Sequence, residues 1–213
     1  MNKSIRVVPA ILTDSPKALG DMLRQVSTFT DYVQIDIMDG KFVPSRSVTS
    51  EQIPSVDAKI SWEAHLMVEQ PEKQLAKFKK AGAKKAVFHF EATSSPAQVI
   101  SAARELGLEV GIALNPETPV SKIKPLVGQV DSVLFLSVHP GFYGAKFIPE
   151  VLAKIGELRQ ARPGLEIGID GGMKESNIAM VAKSGVDVIF VGSAIFLQPQ
   201  PGEAYRNLLA LAN

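Results

Sequence analysis

Three side chains with the chemistry of acid–base catalysis lie in otherwise apolar strand-like segments of this sequence. Asp36 interrupts the run VQIDIM, Asp170 ends the run EIGID, and His65 lies within SWEAHLM. A carboxylate inside a buried strand is costly unless it is paired or bound to a metal ion, so it marks a candidate site. Two carboxylates that face each other across a pocket can exchange protons with opposite faces of one carbon, as a racemase or epimerase requires.

His65 adds a candidate metal site to this pair of aspartates. Imidazole and carboxylate groups bind divalent ions, which polarise a carbonyl and stabilise an enediolate. We therefore expect Asp36, His65 and Asp170 to come together around a substrate carbon. The alternative is that Asp170 is a turn residue before two glycines and that His65 is a core histidine with ordinary hydrogen bonds. His89, in VFHFEA, is interpreted as a structural histidine of that kind.

Glycine-containing turns at strand ends indicate an anion site. The segments GFYG, IDGG and GSA each follow a strand-like run, and glycine lets backbone amides approach an anion closely. Small (β/α)8 barrels commonly bind phosphate at the ends of strands seven and eight, which in this sequence would be the runs EIGID and VIFVG. There the candidate phosphate-binding residues are Gly171, Gly172, Gly192 and Ser193.

Eight short apolar runs alternate with amphipathic segments, which predicts repeated βα units. The runs are RVVPAI, YVQIDI, ISWEAHLM, KAVFHF, EVGIAL, SVLFLSV, EIGID and VIFVG. Strands that are apolar on both faces and joined by helices form a parallel sheet covered by helices, either a doubly wound open sheet or a (β/α)8 TIM barrel. Eight repeats favour the barrel, and the catalytic groups then belong at the carboxyl ends of its strands. The irregular stretch 39–59 is expected to form a long loop over the site.

Length and composition fit one compact domain. The chain has 213 residues, 46% of them hydrophobic, and no linker-like segment, so we expect a single (β/α)8 barrel domain over residues 1–213. There is no cysteine, which excludes disulfides and thiolate metal sites. The sequence shows neither a secretory signal nor a run of roughly 20 apolar residues that could span a bilayer, so a cytoplasmic location is expected.

The charge balance argues against large anionic partners. A formal net charge of +1 gives no reason to expect nucleic acid or an anionic membrane surface. The basic run from Lys77 to Lys85 is predicted to be the solvated face of a helix and the turn after it. The expected partner is a small anionic molecule, which needs only a local binding site.

The strand ends and their loops also form a recognisable series of motifs. In chain order they are PAIL, VQIDIMDGKFVPS, EAHLMVEQPE, FHFEAT, IALNPETP, SVHPGFYGAKFIPE, IDGGMKESNI and GSAIF. With these motifs the sequence resembles the ribulose-phosphate 3-epimerase family over nearly its whole length. The resemblance implies a ribulose-phosphate-binding barrel that interconverts D-ribulose 5-phosphate and D-xylulose 5-phosphate through a metal-stabilised enediolate. It implies acid–base and metal-ligand roles for Asp36 and Asp170, a ligand role for His65, and phosphate binding by Gly141 and Gly144 as well as by the four residues named above.

The departures from the family pattern concentrate at expected metal and substrate positions. Gln34 stands where the family usually has a histidine ligand, and an amide oxygen is a poorer donor than imidazole for zinc. Gln34 is therefore a weak candidate ligand, and we expect a weakened site that favours manganese, magnesium or iron over zinc. The candidate substrate-pocket residues are Ala10, Met38, Met67 and His139, with core or loop packing as the alternative for the two methionines.

Two other functions remain open from the sequence. One is a 3-epimerase of another ketose phosphate, such as allulose 6-phosphate, because Lys41, Tyr143 and Lys146 differ from the family pattern on loops near the pocket. The other is a non-catalytic sugar-phosphate-binding paralogue, for which Gln34 and Ala10 are the indications. Related decarboxylases and aldolases use a D-x-K-x-x-D arrangement, and EAHLMVEQ has no such lysine. The resemblance also implies a homo-oligomer.

Overall fold

The computed structural model describes residues 4–54, 59–140 and 146–213, and it confirms the predicted (β/α)8 barrel. Eight parallel strands follow one another around the barrel in chain order, and β8 pairs with β1 to close it. The strands are β1 Arg6–Ile11, β2 Tyr32–Met38, β3 Ser61–Met67, β4 Lys85–His89, β5 Glu109–Leu114, β6 Ser132–Leu136, β7 Glu166–Asp170 and β8 Val188–Val191.

The helices cover the outside of the barrel. They are α1 Pro16–Val26, α2 Leu75–Lys80, α3 Pro96–Glu105, α4 Val151–Ala161, α5 Glu175–Ala182, α6 Ser193–Phe196 and α7 Pro201–Ala212. Helix α1 shows how the sequence sets such a helix, because the Ser15 side chain accepts the Ala18 N–H and proline occupies the first turn. Its buried residues, Leu19, Leu23 and Val26, recur at helical spacing and face the strands.

Successive side chains of each strand point alternately outward and inward, so the barrel has one apolar layer beneath the helices and a second in its interior. On β2 the side chains of Val33, Ile35 and Ile37 pack in the large layer between strands and helices. The opposite face of β2, with Gln34 and Asp36, points into the barrel. The barrel interior is filled by a smaller apolar cluster of Val8, Ala10, Val87, Ala113, Leu134, Leu136, Val138, Val188 and Phe190.

A buried ionic cluster fills the amino-terminal end of the barrel. Lys85 Nζ lies 2.8 Å from Glu166 Oε1 and 3.5 Å from Glu63 Oε2, and the Tyr32 hydroxyl donates to Glu63 at 2.8 Å. Burial lowers the pKa of Lys85, but the charges of Glu63 and Glu166 outweigh burial and hold it above its ordinary value. The prediction that the basic run is solvated is therefore wrong at Lys85, which is only 4% exposed. As the first residue of β4, Lys85 points into the barrel rather than outward.

The irregular segment after β2 is anchored by Asp39. One carboxylate oxygen accepts the N–H groups of Lys41 at 2.8 Å and Phe42 at 3.0 Å, and the other accepts the N–H of Glu69 at 2.8 Å. An isolated bridge joins Asp39 to Arg46. Asp39 thus ties the loop after β2 to the loop after β3, and the loop after β2 reaches the carboxyl end of the barrel.

Candidate active site

The three side chains singled out in the sequence meet at the carboxyl end of the barrel. Asp36 on β2 is in register with His65 on β3, and Asp170 is the last residue of β7. His65 Nδ1 lies 2.9 Å from Asp36 Oδ1 and 3.6 Å from Asp170 Oδ2. One ligand atom from each residue lies within 4.8 Å of the others, a spacing suited to one metal ion.

Gln34 connects the two carboxylates. Its amide nitrogen Nε2 donates to Asp36 Oδ1 at 2.9 Å and to Asp170 Oδ2 at 2.7 Å. The Gln34 side chain is fully buried, and within the described structure its oxygen Oε1 has no hydrogen-bond partner. The residue expected as a weak metal ligand therefore directs its nitrogen, rather than its oxygen, at the cluster.

The surroundings raise the pKa values of both Asp170 and His65. Burial and the Asp36 charge raise the pKa of Asp170 to about 7, although His65 and the hydrogen bond from Gln34 act in the opposite direction. Burial lowers the pKa of His65, but the hydrogen bond to Asp36 and the two carboxylate charges outweigh burial and raise it. Near neutral pH the Asp170 carboxyl group can thus hold a proton that it is able to give away.

Two serines that the sequence did not single out hold the backbone at this site. The Ser47 hydroxyl donates to the Asp36 carbonyl oxygen at 2.8 Å and accepts the Met38 N–H at 2.9 Å. The Ser137 hydroxyl lies 2.7 Å from the Gly171 carbonyl oxygen and 2.9 Å from the Asp170 carbonyl oxygen, so its one hydrogen serves these two acceptors. Serines that bond to backbone groups have no distinctive sequence pattern, so only the fold identifies them.

A cavity opens above these groups at the carboxyl ends of the strands. It has about 610 Å³ of empty space, continuous with solvent. Asp36, His65 and Asp170 line its floor, and Ala10, Met38 and Met67 are among its walls, as are Leu12, Leu136, Val138, Pro140, Met173 and Phe190. A polar floor under mostly apolar walls is typical of a small-molecule site.

The candidate phosphate residues at the ends of β7 and β8 line the same cavity. Gly171 and Gly172 adopt φ of +106° and +68°, which favour glycine, and Gly192 and Ser193 follow β8. A Cβ atom on Gly171 would lie 2.5 Å from a Val138 methyl carbon, so no larger residue fits there without displacement.

Three other predicted residues lie away from this cluster or outside the described chain. The His139 side chain is exposed, and its Nδ1 lies 3.0 Å from Glu117 Oε1, whereas the cavity lining includes its neighbours Val138 and Pro140. Gly141 and Gly144 lie outside the described residues.

A second histidine and a glutamate, which the sequence did not connect with the chemistry, lie behind His65. His89 Nε2 is 3.0 Å from His65 Nε2, and His89 Nδ1 is 3.4 Å from Glu91 Oε2. Burial lowers the pKa of His89 to about 4. The available signal was the spacing HFE at the end of β4, which places a carboxylate two residues after a histidine.

A closed parallel barrel with two carboxylates and a histidine on the floor of a cavity at its carboxyl end has the architecture of a (β/α)8 barrel enzyme. The chain belongs to the ribulose-phosphate 3-epimerase family, whose model matches residues 6–196. It is therefore a member of a family of carbohydrate isomerases.

Individual members of the family align with this sequence over nearly its full length. The ribulose-phosphate 3-epimerase of Synechocystis sp. is 38% identical, covering 96% of this chain and 93% of the relative. That of Bacillus subtilis is 35% identical, covering 96% and 98% respectively. The relative from Oryza sativa subsp. japonica named as the cytoplasmic isoform is 36% identical, covering 95% and 92%.

Solved structures extend the likeness in fold alone. A 3-hexulose-6-phosphate synthase matches with a TM-score of 0.74 at 19% identity, covering 97% of this chain and 99% of the other. Within the described ranges, every helix is too short or too polar to span a membrane.

Proposed function

We propose that this protein interconverts D-ribulose 5-phosphate and D-xylulose 5-phosphate by inverting carbon 3. The observation that supports this most is the meeting of Asp36 and Asp170 on shared partners, Gln34 Nε2 and His65 Nδ1, at the floor of one cavity. The names of the relatives identify the substrate pair for those proteins, and the family membership carries it to this chain as a proposal.

The two aspartates divide the proton transfer between them. Ionised Asp36 removes the proton from C3, and the electron pair of that bond moves to the C2 carbonyl oxygen. Asp170, whose pKa is raised to about 7, donates its proton to C3 from the opposite face as the carbonyl forms again. Asp36 then carries the proton and Asp170 the charge, so the reverse reaction exchanges their roles. Gln34 Nε2 donates to both carboxylates in the metal-free arrangement.

The donor set fits a divalent metal ion. Asp36, His65 and Asp170 supply one nitrogen and two carboxylate oxygens, which leaves coordination positions for substrate. A bound ion would polarise the C2 carbonyl and offset the negative charge on its oxygen. Gln34 joins this set only if its amide turns to present Oε1, the buried oxygen that has no hydrogen-bond partner within the described structure.

We place the substrate phosphate at the ends of β7 and β8. Gly171, Gly172, Gly192 and Ser193 line one part of the cavity whose floor is the aspartate pair. The proposed assignment of Gly141 and Gly144 to the same phosphate rests on the family resemblance. We also propose a homo-oligomeric assembly on the ground of the family resemblance. A cytoplasmic location is proposed on the same ground and on the name of the rice relative.

Deuterium exchange at C3 tests this proposal. The metal-supplemented enzyme in D2O should convert D-ribulose 5-phosphate into D-xylulose 5-phosphate that carries deuterium at C3, because Asp170 exchanges its proton with solvent between turnovers. Asp36→Asn and Asp170→Asn should each lower the exchange rate by at least about a hundredfold. Asp14→Asn, at an exposed position on the loop before α1, is the matched control and should leave the rate unchanged.

The choice of substrate separates the alternatives. Faster exchange with D-allulose 6-phosphate than with D-ribulose 5-phosphate would assign the enzyme to another ketose phosphate. Binding of these sugar phosphates without exchange, in the presence of manganese, iron, magnesium or zinc, would instead identify a non-catalytic binding protein and refute the proposed reaction.

A further inference from the structure

A fully buried imidazole pair lies beneath the candidate metal site. The rings of His65 and His89 are both 0% exposed, their planes are inclined by 22°, and their Nε2 atoms are 3.0 Å apart. A hydrogen bond between two imidazole nitrogens requires one ring to donate and the other to accept. The direction of this bond therefore fixes whether His65 Nε2 carries a hydrogen.

Glu91 determines that direction from the far side of His89. Its Oε2 lies 3.4 Å from His89 Nδ1, and the Asn115 side chain is a further hydrogen-bond partner of His89. A carboxylate only accepts hydrogen bonds, so the attractive arrangement places the His89 hydrogen on Nδ1. The lone pair of His89 is then on Nε2 and faces His65.

The carboxylate is itself held in place by the loop after β5. Glu91 Oε1 accepts the Asn115 N–H at 2.9 Å and the Thr118 hydroxyl. Burial raises the pKa of Glu91, but these hydrogen bonds and the contact with His89 outweigh burial and lower it. On the other side, the Phe42 ring packs against His89 with their centroids 4.9 Å apart. The loops after β2, β4 and β5 thus together fix the positions of the Glu91 carboxylate and the His89 ring.

We propose that Glu91 and His89 are positioning residues that hold a hydrogen on His65 Nε2. His65 Nδ1, whose hydrogen Asp36 accepts in the metal-free protein, is then the nitrogen that releases its hydrogen to bind a divalent metal ion. Nδ1 is the nitrogen that faces Asp36 and Asp170, at 2.9 and 3.6 Å. Partners of this kind orient a metal-bound histidine and increase its basicity. The inference deepens the proposed function, because it rests on His65 acting as a metal ligand there.

The hydrogen position on His89 is the first test. Nitrogen-15 NMR of the metal-free protein at neutral pH, with both rings assigned by comparison with His89→Gln, should show the His89 hydrogen on Nδ1 rather than on Nε2. A hydrogen on His89 Nε2 would mean that His89 donates to His65, and it would overturn the proposal.

The isosteric variant Glu91→Gln is the second test. It retains an oxygen that can accept from Asn115 and Thr118, but its amide group can donate to His89 Nδ1 and so reverse the chain of hydrogen bonds. His65 Nε2 would then accept a hydrogen bond and carry no hydrogen. The one remaining hydrogen of the neutral His65 ring would lie on Nδ1 and oppose metal binding there. We expect the affinity for manganese and zinc, measured by chelator competition, to fall by about 10- to 100-fold.

Two controls separate a positioning role from a structural one. Glu157→Gln, on the exposed face of α4, removes a carboxylate that pairs at the surface with Lys124 and should leave metal affinity unchanged. Thermal unfolding of metal-free Glu91→Gln should match that of the wild type. Wild-type metal affinity in Glu91→Gln, or no metal binding by the wild type, would overturn the proposal. Neither measurement uses a substrate, so failure of the proposed epimerisation would leave the result intact.

Discussion

Gln34 is the residue at which this site departs most clearly from an ordinary metal centre. Its nitrogen donates to both candidate acid–base carboxylates, so an uncharged group occupies the space beside Asp36 and Asp170. Two close carboxylates repel each other, and a shared donor lowers that cost without adding a positive charge. For a metal ion, the same geometry means that the bridging hydrogen bonds must be broken before the amide oxygen can bind.

The variant Gln34→His should therefore bind zinc more tightly than the wild type. Imidazole is a better zinc ligand than an amide oxygen, and we expect a gain of at least tenfold, or about 1.4 kcal/mol. Chelator competition on the metal-free proteins measures it. Gln98→His, on the exposed surface of α3, controls for adventitious binding by an added histidine. Equally tight zinc binding by wild type and Gln34→His would contradict the idea of a weakened site.

At the scale of single residues, the sequence identified polar side chains in apolar segments, but it did not predict which groups they contact. Asp36, His65 and Asp170 stood out because each interrupts an apolar run, and the structure brings all three together. The direction of the Gln34 amide, and the connection of His89 to Glu91, depend on groups contributed by other elements. Such pairings have no local pattern in the chain.

At the scale of elements, the loop after β2 forms one wall of the site and depends on a single carboxylate. Phe42 and Val43 in this loop pack with Met38 and Met67, which line the cavity. Asp39 accepts three backbone N–H groups there, so replacing its side chain should loosen the whole loop after β2.

Asp39→Ala should accordingly destabilise the protein and weaken substrate binding together. The lost hydrogen bonds predict a fall of about 1–3 kcal/mol in the free energy of unfolding by urea. We also expect a several-fold rise in KM for D-ribulose 5-phosphate, with a smaller change in kcat. Asp14→Ala, at an exposed position, is the matched control. An unchanged KM in a destabilised Asp39→Ala protein would show that the loop has no part in binding.

The strands were predictable because alternation and apolar runs survive in each of them, but within the described residues two connections contain no α-helix. The connection between β2 and β3 has the 3-10 turn Ser50–Gln52 in place of an α-helix. Between β5 and β6 the chain forms only a 3-10 turn, Val120–Lys122, instead of an α-helix. Pro116, Pro119 and Pro125 fall in this connection, and each disfavours helical geometry in the residue before it. This connection also supplies Asn115 and Thr118 to Glu91.

At the scale of the whole molecule, the barrel has buried charge at both ends and an apolar layer between them. The Glu63, Lys85 and Glu166 cluster fills the amino-terminal end, and the Asp36, His65 and Asp170 cluster forms the cavity floor at the other. The sequence did not predict the first cluster, since its members come from three strands and Lys85 continues a surface run of lysines. Only the closure of the barrel brings those strands around one interior.

Closure also bears on the prediction that residues 1–213 form one domain. Every strand is paired on both sides, including β1 with β8, so losing any strand exposes two neighbours. We expect the metal-free protein to unfold in urea in a single transition, with the same midpoint by far-ultraviolet circular dichroism and by fluorescence of Trp62 on β3. The variant Trp62→Phe/Tyr205→Trp moves the probe to α7, where the ring packs against Phe29. Midpoints that differ between the two fluorescent positions would show that the halves of the barrel unfold separately, because one cooperative unit gives the same midpoint wherever the probe lies.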